Sequence, residues 1–492
     1  MSPAPTAPRN GAVIGVLAAT GITVSLMQTL MLPLIASLPT LLHTSAANAS
    51  WVITATLLAG TVATPVAGRL GDLYGKRRVI LVSALLLVIG SLVCAPANSL
   101  VPMLVGRTLQ GFGLGIISLG IALMRDILPA HRLGSAVALM SSSLGVGGAL
   151  GMPAAALIAQ QVSWHALFWG SAGLSLLLTV LILVIVPESP VTSSGRFDFV
   201  GAAGLTAGLL LLLLPISKGA DWGWTSALTL GMFAAAPVIL LLWGWWELRT
   251  SAPLIDLRSV RRQVLLTNLA SVVIGFAMYA MSLITPQLLQ LPTATGYGLG
   301  QSMLQAGLWM APGGLVMMAI SQLAARLSAA RGPKISLLLG TLILAFGYLL
   351  SLPLMGSTWG ILTFSAVISC GIGFAYAAMP TLIMNAVPIT ETAAANGFNT
   401  LMRAIGISSA SAVLGAVLGT MTMELGPATL PSERGFHVAL LIGAATALLA
   451  ALVVLTIPGR AGARRPADPP TDLADPPTDL ADPPIDRASA KA

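Results

Sequence analysis

The sequence predicts an all-α membrane protein of fourteen transmembrane helices, set out as six, an inserted pair and six more. Composition is the first observation: of 492 residues, 56% are hydrophobic and 8% are charged, against roughly 25% charged in a soluble domain. The second is that the apolar residues fall into blocks of about 20, the length with which a helix crosses a hydrocarbon layer about 30 Å thick. The third is that Lys and Arg recur in alternate loops between those blocks.

The first six spans run near Ala12 to Ala36, Trp51 to Leu70, Val79 to Ala95, Leu100 to Met124, Leu133 to Ala159 and Trp164 to Val186. Phe199 to Ile216 and Ala227 to Trp246 form the inserted pair. The last six run near Val264 to Leu288, Met303 to Leu323, Ile335 to Leu354, Trp359 to Pro380, Phe398 to Met421 and Val438 to Ile457. This divides the chain into a cytoplasmic N-terminus over 1–11, a six-helix bundle over 12–186 and a linker with two extra helices over 187–263. A second six-helix bundle covers 264–457 and a tail covers 458–492. The tail repeats ADPPTDL, ADPPTDL, ADPPIDR from Ala467 to Arg487; proline at that density forbids a helix, so an acidic, disordered cytoplasmic segment is expected.

Placing the cations orients the map. The groups Arg69, Lys76, Arg77, Arg78; Arg125, Arg132; Arg249, Arg258, Arg261, Arg262; Arg326, Arg331, Lys334; and Arg460, Arg464, Arg465 share one side, and Arg9, Arg196 and Arg403 join them. Lys218 and Arg434 fall opposite, and Arg107 alone lies inside a span. Basic loops face inward, which puts both termini in the cytoplasm of a multi-pass protein of the cell membrane. The basic balance then reflects topology and contact with the lipid bilayer, with no call for nucleic acid. The apolar run from Ala12 to Leu42 exceeds a signal-peptide core and is kept as a first span.

The same map excludes several chemistries. No loop is long enough for a catalytic domain, so no enzyme is expected. Leu70 stands where a phosphate loop before Lys76 needs its first glycine, which removes ATP as the energy source. The four histidines are scattered and the two cysteines, Cys94 and Cys370, sit in separate spans, so neither metal nor cofactor is predicted.

Three segments carry chemistry instead. The loop after span 2 reads Gly68-Arg69-Leu70-Gly71-Asp72-Leu73-Tyr74-Gly75-Lys76-Arg77-Arg78. Its glycines permit a tight reversal at the membrane face, and Asp72 is free to cap or pair with a neighbouring helix. Span 4 carries Arg107-Thr108-Leu109-Gln110-Gly111-Phe112-Gly113. A guanidinium at membrane depth costs on the order of 3 kcal/mol, so it must face a cavity or a partner. Snorkelling is the alternative, but Arg107 lies about two turns in from Leu100, a strained reach. Span 5 has Gly147 and Gly151 in a close-packing G-x-x-x-G surface, with Pro153 breaking one backbone bond.

The first segment resembles the G-x-L-A-D-R-x-G-R-K signature of the major facilitator superfamily, with Leu73 in place of the usual arginine; Ala324 to Lys334 resembles a decayed copy. The second is similar to its R-x-x-Q-G-x-G motif. The third resembles the antiporter signature G-x-x-x-G-P-x-x-G-G, with Met152 at the proline position and Pro153 one place late. Together with the 6 + 2 + 6 layout and the run Ala395 to Gly406, these resemble the fourteen-span drug:proton antiporter family. The resemblance implies a major facilitator fold, two bundles rocking about a midplane site, and proton-coupled export of lipophilic small molecules or drugs. It implies a gating and proton-coupling role for Arg107, Asp72, Gly68, Gly75 and Arg78, and a helix-packing role for Gly147, Gly151 and Pro153.

The sequence departs from that family in span 1, where Leu26-Met27-Gln28-Thr29-Leu30-Met31-Leu32 lacks the customary aspartate. No Asp or Glu falls in the middle of a predicted span; Asp126, at the end of span 4, comes closest. A proton carrier is then an end-of-helix acid such as Asp126 or Asp72, titrating against Arg107, and neutral, zwitterionic or anionic substrates gain over cations. For the substrate cavity the candidates are Gln28, Met31, Asn268, Ser271, Gln287 and Tyr376. The polar stripe Asn268, Ser271, Gly275, Met278, Ser282, Thr285 fits helix-to-helix hydrogen bonds as well as a wet wall. The expected partners are protons and a small-molecule substrate, with the chain acting as a monomer. A dedicated exporter of one endogenous metabolite and a membrane receptor that moves nothing are the rival readings.

Overall fold

The structure, a computed structural model, describes residues 8–458 apart from 32, 33, 35, 36, 259–261, 426 and 427. The expected tail falls outside the described residues, as do the first seven residues of the chain. Among the described residues fourteen helices are long and apolar enough to cross a membrane. Spans 1 to 6 are Asn10–Thr29, Trp51–Tyr74, Lys76–Cys94, Leu100–Ile127, Ala130–Gln161 and Trp164–Ile185. Spans 7 and 8 are Phe199–Gly219 and Ala227–Arg249. Spans 9 to 14 are Arg262–Gln290, Met303–Arg331, Pro333–Leu354, Thr358–Met384, Ile389–Thr420 and Glu433–Thr456. The end carrying Arg69, Lys76 to Arg78, Arg125 and Arg132 is called the basic end below.

Several of the expected boundaries differ, two of them with consequences for the interior. Span 1 stops at Thr29, short of Ala36, and a separate turn Leu38–Leu41 opens with proline in its first turn, a position suited to starting a helix and not to continuing one. The helix of span 13 begins at Thr392, well before Phe398, because its first amides find an acceptor on a distant span. An antiparallel hairpin, β1 (Thr422–Leu425) and β2 (Ala428–Pro431), joins spans 13 and 14. The purely helical expectation omitted it; the Tyr297 hydroxyl ties it down by donating to the Pro431 carbonyl.

Spans 1 to 6 close around one apolar core that includes Leu17, Met31, Ile80, Met103, Leu123 and Phe168. Spans 9 to 14 close around a second, with Ile274, Leu337, Tyr348, Phe364, Leu414 and Phe436. The inserted pair is central in sequence and peripheral in space: Leu205, Leu209 and Leu213 of span 7 pack with Leu58 of span 2 and Leu401 of span 13. Span 7 thus lies along the seam between the two bundles. Span 8 leaves Leu228, Leu230, Val238, Leu241 and Leu242 exposed, the composition of a surface turned to lipid.

Small residues set how closely the helices approach, because lipid tails give apolar side chains no reason to prefer each other over lipid. A Cβ at Gly147 would lie 2.6 Å from the Ser25 Cβ, so spans 1 and 5 meet nearly backbone to backbone there. Gly151 faces Thr29 one turn further on. Pro153 stays within the helix and packs on Gly307, where a Cβ would come within 3.0 Å of the proline nitrogen. Span 5 therefore presents one small-residue face to its own bundle and another to the second.

This packing makes a direct prediction. Gly147→Val should lower the thermal unfolding midpoint of the purified protein, with a destabilisation of about 1–3 kcal/mol from overpacking. Gly148→Ala, at a position with no neighbouring atom within 4 Å, should leave the midpoint unchanged.

Candidate functional site

The chain turns from span 2 into span 3 at Gly75, whose φ of 104° is one that side chains beyond glycine resist. That corner points Asp72 and Lys76 into the same interior space. The Lys76 Nζ lies 3.4 Å from Asp72 Oδ1 and 2.7 Å from Asp126 Oδ2, and all three side chains are fully buried. Asp126 comes from the last turn of span 4, and the Ser189 hydroxyl donates to it from the linker beyond span 6.

Asp72 also reaches across to the other bundle. Its Oδ1 accepts from the Ala393 amide at 3.3 Å and its Oδ2 from the Ala394 amide at 2.9 Å. These are first-turn amides of the helix Thr392–Thr420, groups that have no acceptor within their own helix. An anion there satisfies two orphan donors and opposes the positive end of the helix dipole. One turn earlier, a Cβ at Gly68 would stand 2.5 Å from the Ala393 carbonyl oxygen, so only glycine lets the two helices come this close. Arg125 adds a second tie by donating to the Thr392 hydroxyl and, at 3.3 Å, to the Val387 carbonyl. The basic end is latched shut between bundles.

Asp72, Asp126, Gly68 and Gly75 thus converge. Arg78 does not: its side chain is 76% exposed, with Nε 3.7 Å from Glu188. Lys76, Arg125 and Ser189 were missed as site residues. Lys76 stands one helical turn of sequence after Asp72 and was legible as its partner; nothing in the sequence marks Ser189. The related loop between spans 10 and 11 has Gly332 at φ 92°, and Lys334 there donates to the Leu455 carbonyl at 2.9 Å. That copy carries no acid, so the capping carboxylate is present in one half alone.

Arg107 is placed elsewhere than expected. It lies about 28 Å from Asp126 along span 4, too far to titrate against Asp126 or Asp72. It is 1% exposed. Its Nη1 donates to the Met27 carbonyl at 3.0 Å and to Gln110 Oε1 at 2.8 Å, and its Nε to the Val52 carbonyl at 3.4 Å. Gln110 passes the chain on to the Ser91 hydroxyl at 2.8 Å. Arg107 therefore binds spans 1, 2, 3 and 4 together inside one bundle.

A small central cavity sits where the bundles meet. Ile117, Ser118 and Ile121 of span 4 and Ser141 and Leu144 of span 5 line one side; Tyr376, Pro380, Asn396, Asn399, Thr400 and Arg403 of spans 12 and 13 line the other. Arg403 corrects the charge map: it belongs to no inward loop, and lies about 16 Å into its helix. Its guanidinium carbon stands 4.6 Å from the centre of the Tyr376 ring. Of the residues expected in the cavity, Tyr376 is there. Asn268 and Ser271 stand behind the wall and accept from the Asn399 amide at 2.8 and 2.7 Å, which holds Asn399 in place. Met31 is in the core of the first bundle, and Gln28 and Gln287 are half-buried away from the lining. A larger cavity of about 760 Å³ opens beside the latch, lined among others by Arg69, Arg196, Arg258 and Ala394.

Known proteins match this arrangement. The Major Facilitator Superfamily model matches residues 17–411. The multidrug resistance protein Stp of Mycobacterium tuberculosis is 30% identical over 373 residues, 75% of this chain and 68% of that protein. The multidrug transporter protein MdtP of Bacillus subtilis is 25% identical over 76% of this chain and 69% of its own length. A probable actinorhodin transporter of Streptomyces coelicolor is 27% identical over 75% of this chain and 65% of its own length. Among solved structures, the human organic anion transporter MFSD10 (TETRAN) superposes with a TM-score of 0.64 at 16% identity, covering 90% of this chain and 99% of that one. The proton:xylose symporter XylE does so with a TM-score of 0.64 at 15% identity, over 92% and 97%. The sequence match over most of the chain and the shared two-bundle fold establish that this protein is a transporter of the Major Facilitator Superfamily, a multi-pass membrane protein and not an enzyme.

Proposed function

We propose that this protein is a proton-coupled exporter of lipophilic small molecules, drugs among them, working by alternating access with the basic end and both termini in the cytoplasm. The observation that carries the reading is the Asp72 carboxylate of one bundle seated on the first amides of span 13 in the other. Relatives named as multidrug transporters support the substrate class.

The latch supplies a way for a proton to act on the conformation. As an anion, Asp72 attracts both Lys76 and the helix N-terminus, and the basic end stays closed. Protonation removes that charge, and the closed state loses its strongest tie between bundles. The sign suits antiport: a proton favours opening to the cytoplasm, where it is released and substrate is loaded, and the deprotonated protein closes again behind the substrate. Lys76 keeps Asp126 and Asp72 together as anions, since two buried carboxylates with no cation between them would repel.

The direct test is reconstitution. Adding a transported dye to proteoliposomes should move protons in the direction opposite to the dye, and chemically unrelated dyes should compete. Dye flux without proton movement would remove coupling, and a single accepted compound would favour a dedicated exporter. The latch has its own test, using spin labels at the exposed positions Tyr74 and Ile389 on either side of it. The distance between labels should lengthen as pH falls. Asp72→Asn should show the longer distance at all pH values, with a loss on the order of 3 kcal/mol in preference for the closed state. An Asp72→Asn distance that still shortens at alkaline pH would take Asp72 out of the mechanism.

A further inference from the structure

The central cavity holds a cation that no carboxylate among the described residues neutralises. Arg403 is 9% exposed, and among the described residues no carboxylate lies within ion-pair distance of it. What it touches is weak for a buried guanidinium: the face of Tyr376 and, at 3.5 Å, the hydroxyl of Thr400. The contrast with Arg107 is instructive, because that arginine has two carbonyls and a glutamine oxygen around it and is 1% exposed. An arginine at membrane depth is held at considerable cost unless acceptors meet its N–H donors.

A second donor faces the same space. The Ser141 hydroxyl on span 5 is buried at 2% exposure, lines the cavity, and has no hydrogen-bond partner among the described residues. Ser118, on the same side, and Thr400, on the other, share a hydrogen bond of 3.1 Å across the bundle interface. The remaining wall is apolar, with Ile117, Ile121, Leu144 and Pro380. The polar side of the cavity therefore combines a guanidinium with hydroxyls from both bundles against an apolar side; the space itself is about 10 Å³, so an organic ligand is admitted only as the bundles part.

We infer that this cavity binds an amphipathic organic anion, a carboxylate on an apolar or aromatic body, with Arg403 as the group that engages the carboxylate and Ser141 as a second donor. The planar guanidinium matches a carboxylate through two parallel N–H bonds, which a lysine cannot reproduce. The anion contacts both bundles, through Arg403 of span 13 and Ser141 of span 5, in a conformation whose bundles stand further apart than in this structure. This deepens the exporter reading by naming a substrate class and rests on it only for the claim that the bound anion is carried.

Binding is measured on the purified full-length chain in detergent, by thermal shift and by tryptophan fluorescence, with three probes of equal size. These are naphthalene-2-carboxylate, its neutral carboxamide and a naphthylmethyl trimethylammonium. The carboxylate should bind roughly tenfold or more tightly than the carboxamide, as a charge-assisted contact would give, and the ammonium should not bind. Arg403→Gln should erase the preference for the carboxylate, Arg403→Lys should retain part of it, and Ser141→Ala should weaken carboxylate binding a fewfold while the unfolding midpoint without ligand stays at the wild-type value. Equal affinity of the wild-type protein for carboxylate and carboxamide, no carboxylate binding, or an undiminished preference in Arg403→Lys and Ser141→Ala together would overturn the inference. Carboxylate binding with no flux in proteoliposomes would instead overturn the exporter reading and leave the anion site standing.

Discussion

Hydrocarbon offers no water to a backbone amide or a charged side chain, and this one constraint shapes the rest of the molecule. It confines the spanning chain to helices and leaves their association to close contact and to hydrogen bonds. Spans 1 and 5 meet through Gly147 and Gly151, and spans 2 and 13 through Gly68. Where a helix terminus would leave its amides open in the interior, a partner has to come from outside the helix. Span 13 receives that partner from span 2, through Asp72. The same contact that satisfies a buried helix end therefore also joins the two bundles, and in the proposed mechanism it is the point of control.

The two buried arginines show how differently one problem is met. Arg107 is surrounded by acceptors from spans 1 and 2 and by Gln110 of its own helix, so its charge stays within one rigid bundle. Arg403 stands at the interface between bundles against Tyr376, with few acceptors and a cavity before it. An enclosed, satisfied charge adds cohesion. A charge left facing a cavity between bundles is suited to recognition. The absence of an acid from span 1, read in the sequence as a bias against cations, agrees with a midplane whose only ionised group among the described lining residues is a guanidinium.

How much of the site was legible varied by distance along the chain. The corner at Gly75, the Asp72 and Lys76 spacing and the G-x-x-x-G face of span 5 are local patterns, and local sequence carries them. Arg403 was misread because it follows the start expected for span 13 by a few residues only; with the helix begun at Thr392 it moves deep into the membrane. The cause of that early start is an acid 321 residues away in sequence. The stripe on span 9 had two fair readings, and the position of Asn399 decided for helix-to-helix hydrogen bonds at Asn268 and Ser271.

By itself the sequence determined the number of spans, their alternation and the basic end, because span length and loop charge answer to the thickness and potential of the bilayer and need no knowledge of neighbours; its motifs carried the resemblance to the superfamily. Only the tertiary structure decided which charges are enclosed, which face a cavity and which hold the bundles together. Those outcomes depend on what lies opposite a side chain, and in a bundle of fourteen helices the group opposite comes from a remote part of the chain.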